Sequence, residues 1–582
     1  MQTIAEYLTA RVQAAVQAIG HEDETVDACV ATRDPSHGDY QSNFALRLGK
    51  KLGKAGPGPR GVAEQIVGAL GDDPAIAAVA IAGPGFINFT LDDGWLAAQL
   101  AARAADPAFA PPSPGEGRTV VLDYSAPNIA KRMDVGHLRS TIIGNALDRM
   151  HRWLGWRVIA DNHLGDWGTP FGLLITAWKR ERDDEAYAAD PVGELQRLYQ
   201  WASKQKTDDP EFLDVARAET VKLQSKDPET LALWQTFVDA SMDEFNGLYD
   251  RLDVTFDEVR GESAYADELQ SLVEGLLAQG IATESEGAVI IEFEPSDGKG
   301  LAKQPMLIRK ADGAALYGTT DLATARYRVE THKADRILIL TDKRQQLHFR
   351  QVFAGARKMG LDNVDYQHVW FGTLLVDGAI PSSREGTAIS LVDLLDEADR
   401  RTLAVMTDRE EEPRAGALSP EEREQVARTV AMAAVKYFDL SQNPQSDINF
   451  EWDRALSLDS GSAVYLLYAH ARLRSILRNG GVDGTPPAAP STAHPTERTL
   501  AVLANRTPEV VQTAVDSCRP NLLAEHLEAL AGAVGPFWNQ CPVLRDDVPA
   551  KVREARLSLV HGVASALATG LGLLGIEAVE RM

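Results

Sequence analysis

Cysteine is nearly absent: three in 582 residues, at positions 29, 518 and 541. No pair has C-x-x-C spacing, which excludes a zinc ribbon or a redox dithiol, and no metal site is expected. A sparse, odd number suits a reducing, cytoplasmic setting. No run of about 18 consecutive apolar residues occurs, so no membrane-spanning helix is expected. No secretory signal is expected either. The opening MQTIAEYLTARVQAAV carries Glu6 early and sets Ile4, Leu8, Val12, Ala15 and Val16 on one face of a helix. No internal repeat of fixed period appears. Basic charge is also in deficit: the formal net is −25, which at first sight argues against a polyanionic partner.

What is present changes that reading. The length suits three or four domains, and a chain that is 44% hydrophobic and 25% charged can bury ordinary cores. The charge is unevenly placed. Residues 118–180 are net +4 and residues 301–360 net +7, flanking residues 181–300 at −19. Most of the acidic excess is therefore expected to face solvent, away from the two basic islands.

Residues 107–118 (PAFAPPSPGEGR) read as a linker. TVVLDY at 119–124 reads as a buried strand, followed by a loop, a helix from near Gly136 and a second strand at 156–160. That unit begins a parallel, Rossmann-like sheet. Strand patterns return at 288–293, 306–308, 336–341 and 368–372. Ser419, Pro420 and Glu422 form a helix-start capping box, and the pattern beyond is helical. The expected architecture is multidomain α/β: a small α+β domain over 1–115, a Rossmann-like domain over 116–415 with an acidic helical insertion at about 181–285, and an all-α domain over 416–582.

The segment DYSAPNIAKRMDVGHLRS at 123–140 carries the chemistry. A strand ends in a loop that feeds a helix N-terminus, where open parallel sheets bind ligands and free N–H groups favour phosphate. Lys131 and His137 are placed to meet a polyphosphate, and Gly136 permits close backbone approach. This segment resembles the ATP-binding signature of class I aminoacyl-tRNA synthetases, and its flanks are similar to the arginyl-tRNA synthetase family. NHLGDWGTPFG at 162–172, LYGTTDLA at 316–323, LHFRQVF at 347–353, HGDYQSN at 37–43, GPGFINF at 83–89 and LLGIEAVERM at 573–582 are also family-like. Two positions depart from the pattern. Asp134 replaces the first His of the signature, where either a cation must screen it from triphosphate or it faces the amino acid's ammonium. The second signature reads IPSSREG at 380–386, with Ile380 in place of a lysine.

The resemblance implies ATP-dependent activation of L-arginine, with Mg²⁺ accompanying ATP, and transfer to arginine tRNA by a monomer. It implies that Lys131, Asp134, Val135, Gly136 and His137 bind ATP, and that Lys131, His137, Ser383 and Arg384 stabilise the reacting phosphates. It assigns the arginine substrate to Asp123, Asn128, Tyr317, Asp321 and Gln345. Carboxylates there would accept the planar guanidinium fork. The helical C-terminal region is similar to the family's anticodon-binding bundle, so Tyr465, Tyr468 and Arg472, one helical face, would meet anticodon bases, with Trp538 and Met582 nearby. Phe86 and Asn88 would touch one exposed base at the outer corner of the tRNA.

Overall fold

The computed structural model describes residues 1–53, 56–311, 313–314, 316–376, 390–408, 418–486 and 488–582. Its first unit comprises α1 (Ile4–Ala18), β1 (Val30–Ala31), β2 (Tyr40–Ser42), α2 (Phe44–Leu52), α3 (Gly58–Leu70), β3 (Ile76–Ala82), β4 (Phe86–Leu91) and α4 (Asp93–Ala104). Thr3 and Glu6 close a reciprocal capping box at the start of α1. The five apolar residues named from the sequence are its buried face. The four strands form an antiparallel sheet in the order β1-β2-β4-β3.

The central unit begins with β5 (Thr119–Asp123), α5 (Val135–Trp153), β6 (Arg157–Asn162) and α6 (Thr169–Glu181). The helices α7 (Asp184–Ala189), α8 (Pro191–Asp208), α9 (Pro210–Gln224) and α10 (Pro228–Arg251) precede β7 (Glu258–Val259) and α11 (Leu269–Ala278). Then come β8 (Thr283–Ser285), β9 (Ala288–Ile291), β10 (Met306–Arg309), α12 (Tyr317–Glu330), β11 (Arg336–Asp342), α13 (Gln346–Lys358), β12 (Asp365–Phe371) and β13 (Leu374–Val376). A five-stranded parallel sheet runs in the order β12-β11-β5-β6-β7. All five residues of β5 are buried, because helices cover both faces. Val120, Leu122, Leu338 and Leu340 join one core, while Val121, Ile337 and Ile339 join a second core with α11, α12, α13 and the β8–β10 meander. The chain leaves β5 toward β6 on one side, and β11 adds on the other. The loops after β5 and β11 therefore diverge around a crevice at the carboxyl ends of the strands.

α14 (Leu391–Asp408) closes the central unit, and the last unit holds α15 (Pro420–Leu440), β14 (Ile448–Phe450), α16 (Trp452–Ala455), α17 (Ala463–Asn479), α18 (Pro495–Ser517), α19 (Asn521–Gln540) and α20 (Ala550–Leu573). The capping box read from the sequence opens α15. β14 pairs in parallel with β13, tying this unit to the central one. α20 is long and apolar enough by composition to cross a membrane, although Ser558, His561, Ser565 and Thr569 interrupt its apolar run. Two thirds of its apolar window is buried in the bundle, as expected of a core helix.

Salt bridges fasten the units together. Arg498 of α18 reaches both Asp39 oxygens, at 2.9 and 2.7 Å, and also Asp93. Tyr40 donates to Glu509. The HGDYQSN segment thus docks the N-terminal unit on the bundle.

Most acidic side chains of the insertion are exposed, as their charge suggests. It also has an inner side: α8 and α9 pack on α6, Glu194 and Glu219 are buried against Arg197, Lys179 and Lys222, and α10 presses on the loop after β5. Sequence charge alone does not distinguish an acid paired inside a helical stack from one facing water.

Candidate active site

The loop after β5 has an unusual backbone. Ser125, Ala126 and Ala130 all have positive φ, at 69°, 47° and 61°. Such residues cost about 1–3 kcal/mol each unless their surroundings hold them. Here every neighbouring element contributes. The Ser125 N–H donates to Ser140 Oγ of α5, Ala126 N–H to Asn162 Oδ1 at the end of β6, and Ala130 N–H to Ser241 Oγ of α10. Asn128 bridges the backbone of Gly165. A Cβ at Gly165 would fall 2.2 Å from Asn128 Oδ1, so a larger residue there would displace the Asn128 side chain from this position. The loop leaves Asn128 exposed and Lys131 half-buried.

Asp134 caps α5. Its carboxylate accepts from Gly136 N–H at 3.0 Å and lies 2.9 Å from His137 Nδ1. Burial pushes its pKa up, but the hydrogen bond and charge of His137, with Lys131 nearby, outweigh this and hold the carboxyl at about 2. In this conformation the Gly136 N–H expected to be free for phosphate is taken by the Asp134 side chain. Val135 is buried and offers only backbone. The exposed Arg344, just after β11, also feels the charge of Asp134. The second signature, with Ile380, Ser383 and Arg384, lies outside the described residues. Its downstream end returns to the first signature: Ser390 forms a bridge with Asp134, and Leu391 N–H donates to Met133 O at 2.9 Å.

Beside this loop lies an acidic pocket. Asp123, at the end of β5, is buried against Arg328 of α12, which also bonds Asp161 of β6. Asp321 lies in the second turn of α12 and not at its N-cap, and its carboxylate meets His348 Nε2 at 2.5 Å. Burial disfavours a charged imidazole, yet Asp321 more than compensates and raises the His348 pKa. Tyr317, at the start of α12, is 62% exposed. Gln345 is exposed at the start of α13. Glu262 completes the pocket. Burial, then the charges of Asp321 and Asp166, push its pKa up to about 8. Asp166 is itself raised by burial and held by Ser263. Asp161 Oδ1, His163 Nδ1 and Tyr265 OH are buried without a hydrogen-bond partner among the described residues. Glu262 is the carboxyl on which the charges of the other two act, so a cation placed here would favour its ionised form.

The sequence reading missed Glu262, Arg328 and His348. Arg328 lies 11 residues after Tyr317, a helical-face spacing that signals it. His348 sits inside the quoted LHFRQVF segment, whereas no local pattern marks Glu262. It also missed Arg139, which is fully buried and spends all five N–H donors: two on Asp439 of α15 and the rest on the carbonyls of Gly372, Ser446 and Pro444. That residue locks α5 to the helical unit.

At the far end, Arg472 of α17 stacks 3.8 Å over Trp538 of α19. Tyr468 and Trp538 are exposed, Tyr465 is half-buried near Gly532, and Met582 is exposed at the chain end. His470 Nδ1 pairs with Val579 O and holds the terminal segment to α17. In the N-terminal unit, Phe86 is half-buried at Gly83, but Asn88 is buried and its Oδ1 accepts from Gln41.

Comparison with known proteins accounts for this arrangement. The family model described as class I (R) tRNA synthetase catalytic domain matches residues 107–452, the DALR anticodon-binding domain matches 466–582, and the arginyl-tRNA synthetase N-terminal domain matches 6–91. The chain is 40% identical to the arginine–tRNA ligase of Cellvibrio japonicus, covering 100% of both chains. It is 42% identical to that of Azotobacter vinelandii, covering 95% of this chain and 94% of the relative. Among solved structures, the Thermus thermophilus arginyl-tRNA synthetase superposes with a TM-score of 0.82 at 25% identity, covering 100% of both chains. With these matches end to end, the chain belongs to the arginyl-tRNA synthetase family.

Proposed function

We propose that this chain attaches arginine to arginine tRNA at the expense of ATP. The arginine carboxylate attacks the α-phosphate in line. A carboxylate–phosphorus bond forms, the bond to pyrophosphate breaks, and arginyl-adenylate results. The terminal ribose hydroxyl of the tRNA then attacks the acyl carbon and releases AMP. The protein contributes position and charge rather than a covalent nucleophile. Lys131 and His137, with Ser383 and Arg384 from the second signature, stabilise the phosphates. Val135 and Gly136 offer backbone, and Asp134 must release the Gly136 N–H as the nucleotide arrives. Mg²⁺ enters on the triphosphate as part of that substrate.

The observation that carries the reading is the acidic pocket of Glu262, Asp321 and Asp166 beside the signature loop. A guanidinium is planar, permanently charged and rich in donors, so it suits several carboxylates at once; an ammonium leaves some of them unpaired. Asp321, Glu262 and Tyr317 receive the side chain, Asp123 lines the pocket under the hold of Arg328, and Asn128 and Gln345 meet the polar end. Working boundaries of 1–115, 116–415 and 416–582 divide tRNA-corner contact, chemistry and anticodon reading. Tyr465, Tyr468, Arg472, Trp538 and Met582 serve the anticodon. Phe86 stacks on a base at the outer corner, and Asn88 contributes once Gln41 yields it. The enzyme acts as a cytoplasmic monomer. Steady-state kinetics of Asp321→Ala test the pocket: kcat/KM for arginine is expected to fall at least tenfold with the ATP KM within about threefold. Equal losses for both substrates would refute the assignment.

A further inference from the structure

Two side chains of α10, about two turns apart, reach the strained loop. Ser241 Oγ donates to Phe237 O one turn back, at 2.7 Å, which leaves a lone pair aimed at the Ala130 N–H 2.9 Å away. Tyr249 OH lies 2.8 Å from Ser125 Oγ and accepts from Asn162 Nδ2 at 3.1 Å. Ser125 Oγ is in turn 2.9 Å from Thr141 Oγ1, and Thr141 Oγ1 is 2.8 Å from His137 O.

Asn162 donates to Tyr249, Tyr249 and Ser125 share one proton between them, and Thr141 Oγ1 is in donating range of both Ser125 Oγ and His137 O. The result is one connected chain from the end of β6, through α10 and the loop, to the first turn of the signature helix. Ser125, Asn162, Ser241 and Tyr249 are all buried, so water cannot replace a missing link cheaply. The two loop positions held from α10, Ser125 and Ala130, both have positive φ.

We propose that Tyr249 and Ser241 are positioning residues: through them the helical insertion holds the loop that presents Asn128, Lys131 and His137 to the substrates. Neither touches a substrate. The inference rests on the reading of that loop as the substrate-binding one, and it gives the insertion a role in the reaction.

The test uses full-length enzyme and tRNA charging kinetics. Tyr249→Phe and Ser241→Ala are close in shape to the parent and are expected to keep its melting temperature within a few degrees. Each is expected to raise the KM for ATP and arginine together, with kcat/KM falling about tenfold. Ser125→Ala breaks the chain at its centre, so adding Tyr249→Phe to it should cost little more. Lys131→Ala is measured alongside. If it raises the ATP KM while Tyr249→Phe and Ser241→Ala stay within twofold of the parent, the clamp is overturned and the loop reading stands. If Lys131→Ala itself leaves ATP use unchanged, the loop reading falls and the clamp with it. Fully additive losses in the Ser125→Ala/Tyr249→Phe pair would also overturn the chain.

Discussion

Arginine binding should expel a proton from Glu262. Its carboxyl is pushed up to about 8 by burial and by the charges of Asp321 and Asp166. At pH 7 roughly nine in ten molecules of the empty protein therefore hold that proton. A guanidinium placed among these carboxyls favours the ionised form and draws the pKa back toward the ordinary carboxylate range. Binding at pH 7 then releases about 0.9 proton, and affinity tightens up to about tenfold per pH unit until it levels above pH 8. The stability sign agrees. A carboxyl whose folded pKa is raised contributes fully below the unfolded pKa of about 4.5, and its contribution is lost as pH rises through about 8; bound arginine offsets that loss. Titration calorimetry at pH 7 in two buffers of different ionisation enthalpy counts the proton. His348, paired with Asp321, would also give up part of its proton to an arriving guanidinium, so the decisive comparison is Glu262→Gln. That variant should lose most of the release and flatten the pH dependence. An unchanged proton count in Glu262→Gln, or an affinity flat from pH 6 to 8 in the parent, would refute the reasoning.

Three other perturbations test other links. Asp134→Asn keeps a capping side chain but removes a negative charge from beside the triphosphate, so the ATP KM should fall several-fold; Asp134→Ala loses the cap and about 1 kcal/mol of stability, read by denaturant unfolding. Arg139→Ala leaves Asp439 buried without its partner and should cost about 3–5 kcal/mol by the same assay, with a loss below about 1 kcal/mol contradicting the locking role. Arg498→Ala releases Asp39 and Asp93 from α18, so limited proteolysis should cut the linker at 107–118 sooner than in the parent.

The sequence made the order of the parts legible because their signals are local. The apolar stripe of α1, the Val120–Leu122 run of β5 and the Ser419 capping box each need only a dozen residues to declare themselves. The signature helix was placed within a residue of its observed start. What was not legible depends on contacts between distant segments. Glu262 has no local pattern, and its importance comes from the charges of Asp321 and Asp166, distant in sequence, acting on it. In the sequence Asp134 is either a carboxylate that a cation must screen from triphosphate or one that faces the amino acid's ammonium. In the structure it is a helix cap, a role that its neighbours Gly136 and His137 make possible. The inner side of the acidic insertion was hidden for a similar reason: net charge is a sum over residues, whereas the Ala130–Ser241 and Ser125–Tyr249 contacts depend on two neutral hydroxyls.

The central claim is that the acidic pocket and the signature loop together activate arginine. It is tested most directly by arginine-dependent exchange of labelled pyrophosphate into ATP, with tRNA present. Exchange with arginine and not with lysine, abolished in Asp321→Ala, is the predicted result; no exchange alongside intact tRNA binding would contradict it and leave a tRNA-binding relative without catalysis.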